Sequence, residues 1–181
     1  AGLDLKSFNA NYCTSISNRS LAILAAMPSL EQIQLDYTKI DDEGMKTLAA
    51  TSRLKRLRIR GVDVTGAGLI HIAHLKDLNR LNLRDTSLDD AGLSVIAALP
   101  AIDWLDISEC RLASPEGLTQ LGDASTLTYL DLWETKTNDD GLSAFNKLTN
   151  LKVLNLKATS VSDESLATIM KMTQLADLNV A

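Results

Sequence analysis

Residues 78–101 read LNRLNLRDTSLDDAGLSVIAALPA, and the two halves of this stretch carry different periods. In the first half Leu81 and Leu83 alternate with Arg80, Asn82 and Arg84. That is the period of two of a short strand, with leucines turned one way and polar side chains the other. In the second half Asp89 sits where a helix N-cap is expected, and Leu93 and Ile96 follow at helical spacing. A unit of this size cannot bury its apolar faces alone and needs neighbours of its own kind.

The rest of the chain supplies them. Segments beginning at Leu30 (LEQIQLDYT), Leu54 (LKRLRIRGV), Ile102 (IDWLDISEC), Leu127 (LTYLDLWET) and Leu151 (LKVLNLKAT) repeat the pattern L-x-x-L-x-L. Successive starts fall 24 or 25 residues apart. A degenerate first unit occupies residues 5–29 and a partial last one residues 175–181, so residues 1–181 read as one repeat domain. Parallel strands require a crossover, which the second half of each unit provides as a helix. Ser17, Asp41, Thr65, Asp89, Ser114, Asn138 and Ser162 fall at the helix N-caps, and all are good capping types. Acidic residues such as Asp42, Asp90 and Asp139 follow in the first turn, and Pro115 sits at a first helical position. Gly44, Gly68, Gly92, Gly117 and Gly141 share one register, which points to close approach between stacked units. Met45, Leu69, Leu93, Leu118, Leu142 and Leu166 are expected to line the helix side of the core.

The second-half pattern, as in KIDDEGMKTL (39–48), SLDDAGLSVI (87–96) and KTNDDGLSAF (136–145), resembles the leucine-rich-repeat family. Its T-x-I-x-D-x-G-L flavour is most similar to repeats of planctomycete-type bacterial proteins, with the cysteine-containing F-box repeats related. The resemblance implies an α/β fold: a right-handed solenoid or horseshoe, with a parallel concave sheet, helices on the convex side and about seven and a half repeats. Thr14, Thr38, Thr86, Thr135 and Thr159, with Val62 and Cys110, occupy a slot after the strand that many family members fill with asparagine. Threonine hydroxyls there are expected to satisfy backbone groups at the turn.

Composition narrows the function. A net charge of −5 argues against a general nucleic-acid or anionic-membrane binder. The longest apolar run, residues 21–27, is far too short to span a bilayer. No signal-peptide pattern is visible, and a chain that starts at Ala1 is consistent with removal of a leader or further domains. Cys13 and Cys110, both placed near the buried threonine slot and four units apart, stand roughly 19 Å from one another at a strand spacing of ~4.8 Å. That is beyond disulfide reach. His71 and His74, with Asp77 nearby, lack a third ligand and read as surface histidines. No metal, cofactor or catalytic motif is recognised.

The outward strand face is more informative. Of the seven aromatics in the chain, Tyr12, Tyr37, Trp104, Tyr129 and Trp133 fall on or beside it. Tyr, Trp and Arg dominate binding hot spots, although a sheet surface favours aromatics on its own account. Arg56, Arg58, Arg60, Arg80 and Arg84 cluster in two adjacent units. Asp103, Asp106, Glu109, Asp131 and Glu134 cluster in the next two. Like charges on neighbouring strands repel, so this sorting is read as a match to a partner of opposite pattern; partial neutralisation at the seam, Arg84 against Asp106, is the plainer alternative. Cation–π pairs are expected between Arg80 and Trp104 and between Trp133 and Lys157.

These residues point to a binding scaffold for a protein or peptide and not to an enzyme. The expected contact set is Tyr37, Arg56, Arg58, Arg60, Arg80, Arg84, Trp104, Asp106, Tyr129, Asp131 and Trp133. Recognition of a glycan or polyanion on the Arg/Trp/Tyr patch is the alternative. A carboxylate-dependent hydrolase using Asp106 and Asp131, roughly 5 Å apart on neighbouring strands, is a third reading. It is weakened by an open face and by the absence of an apolar environment to raise either pKa. At the C-terminal end Leu175, Leu178 and Val180 are expected to be uncovered, so that either the natural chain continues or this end packs against another copy.

Overall fold

The computed structural model describes residues 3–181. Eight three-residue strands form one parallel sheet in strict sequence order. They are β1 (Ser7–Asn9), β2 (Gln32–Gln34), β3 (Arg56–Arg58), β4 (Arg80–Asn82), β5 (Trp104–Asp106), β6 (Tyr129–Asp131), β7 (Val153–Asn155) and β8 (Asp177–Asn179). Each strand pairs with the next in the register that the repeat spacing dictates, for example Leu57↔Leu81↔Leu105↔Leu130.

The crossovers carry helices of unequal length: α1 (Asn18–Ala25), α2 (Asp42–Leu48), α3 (Gly66–Leu69), α4 (Asp90–Ala97), α5 (Pro115–Leu118) and α6 (Leu166–Ile169). Short 3-10 turns extend α3 and α5 and precede α6. The crossover after β6 departs from expectation, since only a 3-10 turn, Phe145–Lys147, forms there. Its sequence, NDDGLSAFN, is dense in Asn, Asp, Gly and Ser, which are weak helix formers, whereas α4 is rich in apolar residues that helix and core both accept.

Between the sheet and the helices lies a continuous core. The strand residues Ile33, Leu57, Leu81, Leu105, Leu130 and Leu154 are buried, and so are the helix-side residues Met45, Leu69, Leu93, Leu118 and Leu142. Burying such side chains contributes roughly 1.5–3 kcal/mol each. Leu166 is the exception to the expected helix-side set. It is exposed, because no complete unit stacks on it among the described residues, and Ile169 fills that layer. At the same end Leu178 and Val180 are exposed, as expected, while Leu175 is half-buried against the core.

Six of the seven expected N-cap side chains accept a backbone N–H at the start of their crossover, Asp41 from Glu43 and Ser114 from Gly117 among them. Ser17 makes no such bond. The acidic first-turn residues do more than complement the helix dipole. Asp42 accepts from the backbone N–H and hydroxyl of Thr65, Asp90 from those of Ser114, and Asp139 from those of Ser162. Each carboxylate therefore ties one crossover to the next. Glycine follows from this close approach: a Cβ on Gly68 would collide with Asp42, and one on Gly117 with Asp90. Gly117→Ala is expected to push Asp90 off Ser114 and lower stability by about 1–3 kcal/mol in urea unfolding.

The turn after each strand has a feature not foreseen from the repeat pattern. Tyr12, Tyr37, Gly61, Asp85, Glu109, Glu134 and Ala158, one per unit, all adopt positive φ. A non-glycine residue there costs roughly 1–2 kcal/mol. What offsets it is a backbone ladder, in which the N–H of each such residue donates to a carbonyl of the following unit, as in Tyr37 to Arg60 and Asp85 to Ser108. Gly61 is the one glycine in this slot, and the Tyr37 ring lies where its Cβ would stand.

The threonine slot behaves as expected at Thr38, Thr86, Thr135 and Thr159, whose hydroxyls donate to the carbonyls of Leu35, Leu83, Leu132 and Leu156. In the first unit the slot belongs to Cys13 and not Thr14, since Cys13 donates its N–H to Ala10 as Thr135 does to Leu132. Cys13 is nevertheless exposed, because among the described residues no earlier unit covers the slot, whereas Cys110 is buried. The Cys110 thiol reaches the Leu83 carbonyl, and burial pushes its pKa up to about 11, which keeps it protonated and inert.

Candidate concave recognition surface

The alternation that buries the leucines turns the flanking side chains of β3–β6 onto the open face of the sheet. In the outer row Gln32, Arg56, Arg80, Trp104, Tyr129 and Val153 are register neighbours. In the next row the sequence is Gln34, Arg58, Asn82, Asp106, Asp131 and Asn155. Among the expected contact residues, Tyr37, Arg56, Arg58, Arg60, Arg80, Arg84, Trp104, Asp106, Tyr129, Asp131 and Trp133 all lie on or at the rim of this face, exposed or half-buried.

Much of the second row is engaged in holding the fold. In six units the Asn or Asp at its centre accepts the backbone N–H two residues later: Asn9, Asn82, Asp106, Asp131, Asn155 and Asn179. Gln34 and Arg58 break the series, and there the preceding unit substitutes. Asn11 accepts from the Asp36 N–H, and Asp36 from the Arg60 N–H. Asp36 is therefore fully buried, although strand alternation alone would turn it outward, with its second oxygen 2.6 Å from Arg58 Nε.

The acidic cluster likewise has a part in the fold. Folding does ask for Asp106 beside Asp131, because each caps its own turn. Asp106 also accepts from Ser108 Oγ and Asn82, and Asp131 from Asn155 and the Tyr129 hydroxyl. Nor is Asp106 in an ordinary environment. Burial lifts its carboxyl above the usual carboxylate range, and the Asp131 charge adds to this against the hydrogen bonds from Ser108.

Tyr129 is held in its neutral form, with burial first and then the Asp131 and Asp106 carboxylates pushing its phenol up to about 12. An unfolded tyrosine ionises near 10. The phenol thus contributes stability below that pH, which is lost as the pH rises from about 10 to 12. Alkaline absorbance titration is expected to show one of the three tyrosines lagging the others, a lag that Tyr129→Phe removes.

The aromatic partners differ from expectation. Trp104 stacks on Tyr129 with centroids 4.7 Å apart, and not against Arg80. Trp133 receives the Arg84 guanidinium, 4.6 Å from its ring centre, and not Lys157. Arg84 reaches it past Ser108, whose small side chain lies between them in the row, and is fixed by Glu109 at 2.5 Å. Tyr12 stacks on Tyr37, and Arg60 lies over the Tyr37 ring.

The arginines consequently fall into two groups. Arg58 and Arg84 are ion-paired and Arg60 rests on an aromatic ring. Arg56 and Arg80 are exposed, and among the described residues no carboxylate lies within ion-pair distance of either. Between them and Trp104 the sheet dips into a depression of about 210 Å³, floored by Ile33 and Leu57 and edged by Gln32, Gln34 and Asn82. Gln32, Gln34 and Asn82 line this depression, and the sequence reading did not single them out. No group of His, Cys, Asp and Glu suited to a metal ion occurs among the described residues, and His74 is bound to the Ala49 carbonyl.

A family model described as leucine-rich repeat matches residues 26–49 and 74–97. Among solved structures, an internalin from Listeria monocytogenes superposes with a TM-score of 0.72 at 24% identity. The match covers 86% of this chain and 42% of the internalin, so this chain spans less than half of that protein. No curated protein sequence matches. The chain has the leucine-rich-repeat fold, and its likeness to the internalin is one of fold. That fold is commonly a scaffold for binding other proteins. No helix among the described residues is long and apolar enough to cross a membrane.

Proposed function

We propose that this chain is a recognition module that binds a protein or peptide partner across β3–β6. The observation that carries this is the outer row. It sets two unpaired arginines beside a stacked Trp104–Tyr129 pair over a shallow depression, while Arg58, Arg84, Asp106 and Asp131 are already engaged within the fold. A rigid solenoid lowers the ordering cost of such an association.

Glycan or polyanion recognition finds less support, because Asp106, Asp131 and Glu109 interrupt the basic surface. A hydrolytic role for Asp106 and Asp131 is disfavoured by their engagement with turn N–H groups and neighbouring side chains.

The test is affinity capture with the native chain, with Arg56→Glu/Arg80→Glu/Trp104→Ala and with a convex control, Ile23→Ser/Ile70→Ser. The concave variant is expected to keep its thermal unfolding and to lose captured partner at least tenfold, with the convex control unchanged. The reverse pattern would move the interface to the helices. Arg58 and Arg84 are unsuitable for this purpose, since their removal exposes buried or half-buried carboxylates to an unpaired state.

A further inference from the structure

The geometry points to a partner segment of the form acidic–any–apolar, laid in extended conformation across the strands with its carboxylate between Arg56 and Arg80 and its apolar side chain on Trp104. This deepens the concave-face reading and rests on it.

Arg56 and Arg80 are direct register partners on parallel strands, roughly 4.8 Å apart. Like charges so placed cost stability, and no protein carboxylate relieves them among the described residues. Two guanidinium forks at that separation suit one carboxylate held between them, the geometry arginine favours for such a group.

Trp104 is the next residue in the row. Tyr129 covers one of its faces, and the tryptophan lines the depression beside Arg80. From the midpoint of the arginine pair to Trp104 is one and a half strand spacings, about 7 Å. Residues i and i+2 of an extended chain lie about 6.8 Å apart on the same side. The row therefore offers a charge site and an aromatic platform at the spacing of alternate side chains.

A long polyanion fits poorly. Past Tyr129 the row continues through Val153 to the exposed Asp177, and Asp106 and Asp131 lie alongside. The positive site is thus about one carboxylate wide, and an extended anionic chain would run into like charge.

The experiment is a nuclear magnetic resonance titration of the full ¹⁵N-labelled chain, following the two indole N–H and the arginine Nε–H signals. The probes are a blocked twelve-residue peptide carrying Glu-Gly-Leu in a Gly/Ser background, its Gln-Gly-Leu and Glu-Gly-Ser counterparts, and heparin. The Glu-Gly-Leu peptide is expected to shift Trp104, Arg56 and Arg80 saturably, and to bind at least tenfold more tightly than either counterpart. Arg56→Gln/Arg80→Gln should remove that preference for Glu over Gln while leaving thermal unfolding intact. Equal binding of the Glu and Gln peptides, or heparin shifting these signals where the peptide does not, would overturn the proposal. If it is overturned while partner capture still depends on the Trp104 face, only the assigned chemistry falls; if capture is also indifferent to that face, the concave reading falls with it.

Discussion

Arg58→Met is expected to lower the unfolding free energy by roughly 3–5 kcal/mol, the usual cost of stranding a buried charge. Asp36 has no exposed surface, and its charge is balanced by Arg58 Nε at 2.6 Å and by the Arg60 N–H. Without the guanidinium the carboxylate stays inside the fold with a single backbone donor. The pair is not simply a source of stability, since two charges were desolvated to make it. The double change Asp36→Asn/Arg58→Met should therefore recover most of the loss: an asparagine keeps the oxygen that accepts from Arg60 and carries no charge. Urea unfolding of the two single variants and the double measures this directly. An additive double variant would mean that Asp36 and Arg58 are not coupled as described.

Phe145→Ala is the second large effect, at about 3–5 kcal/mol. Phe145 is among the largest fully buried side chains and sits in the crossover with the least helix. A solenoid is held together by nearest-neighbour interfaces, so damage in one layer need not spread through the whole array. The amides of β7 and β8 are expected to exchange much faster in this variant, with those of β2–β4 close to native. Uniform acceleration across all strands would show the array to be more cooperative than its layered contacts imply.

The architecture was legible because one signal was repeated seven times: each L-x-L triplet states which side chains go in, and errors in any one unit are corrected by its neighbours. The buried leucines, the N-caps and the glycine register followed from that redundancy. What escaped were properties that belong to a pair of units. Asp36 looks like any other outward strand residue until Arg58 is seen to occupy the place of the usual Asn or Asp, leaving the Arg60 N–H to be capped from the preceding unit. Asp106 and Asp131 looked like surplus charge because their turn-capping role needs the backbone fold to be visible. Cys13 and Leu166 were assigned the burial of their slots, but among the described residues each lacks a complete neighbour on one side.

The open face of the sheet was legible as a set of residues and not as a pattern of contacts. The aromatic and arginine residues were placed on the correct face. Their pairing depends on side-chain reach across one or two strands, as when Arg84 passes Ser108 to find Trp133. No one-dimensional spacing encodes that choice. The division between spent and unspent arginines emerged only from the ion pairs.

Hydroxyl-radical footprinting, with and without a captured partner, reads the face in use directly, because the side chains that decide the matter are also the most reactive. Trp104 and Tyr129 lie on the sheet face, and the highly exposed Met170, at the end of α6, serves as an internal control. The account predicts that a bound partner slows oxidation of Trp104 and Tyr129 severalfold and leaves Met170 untouched. Protection of Met170 with Trp104 and Tyr129 oxidised at their free rates would contradict it.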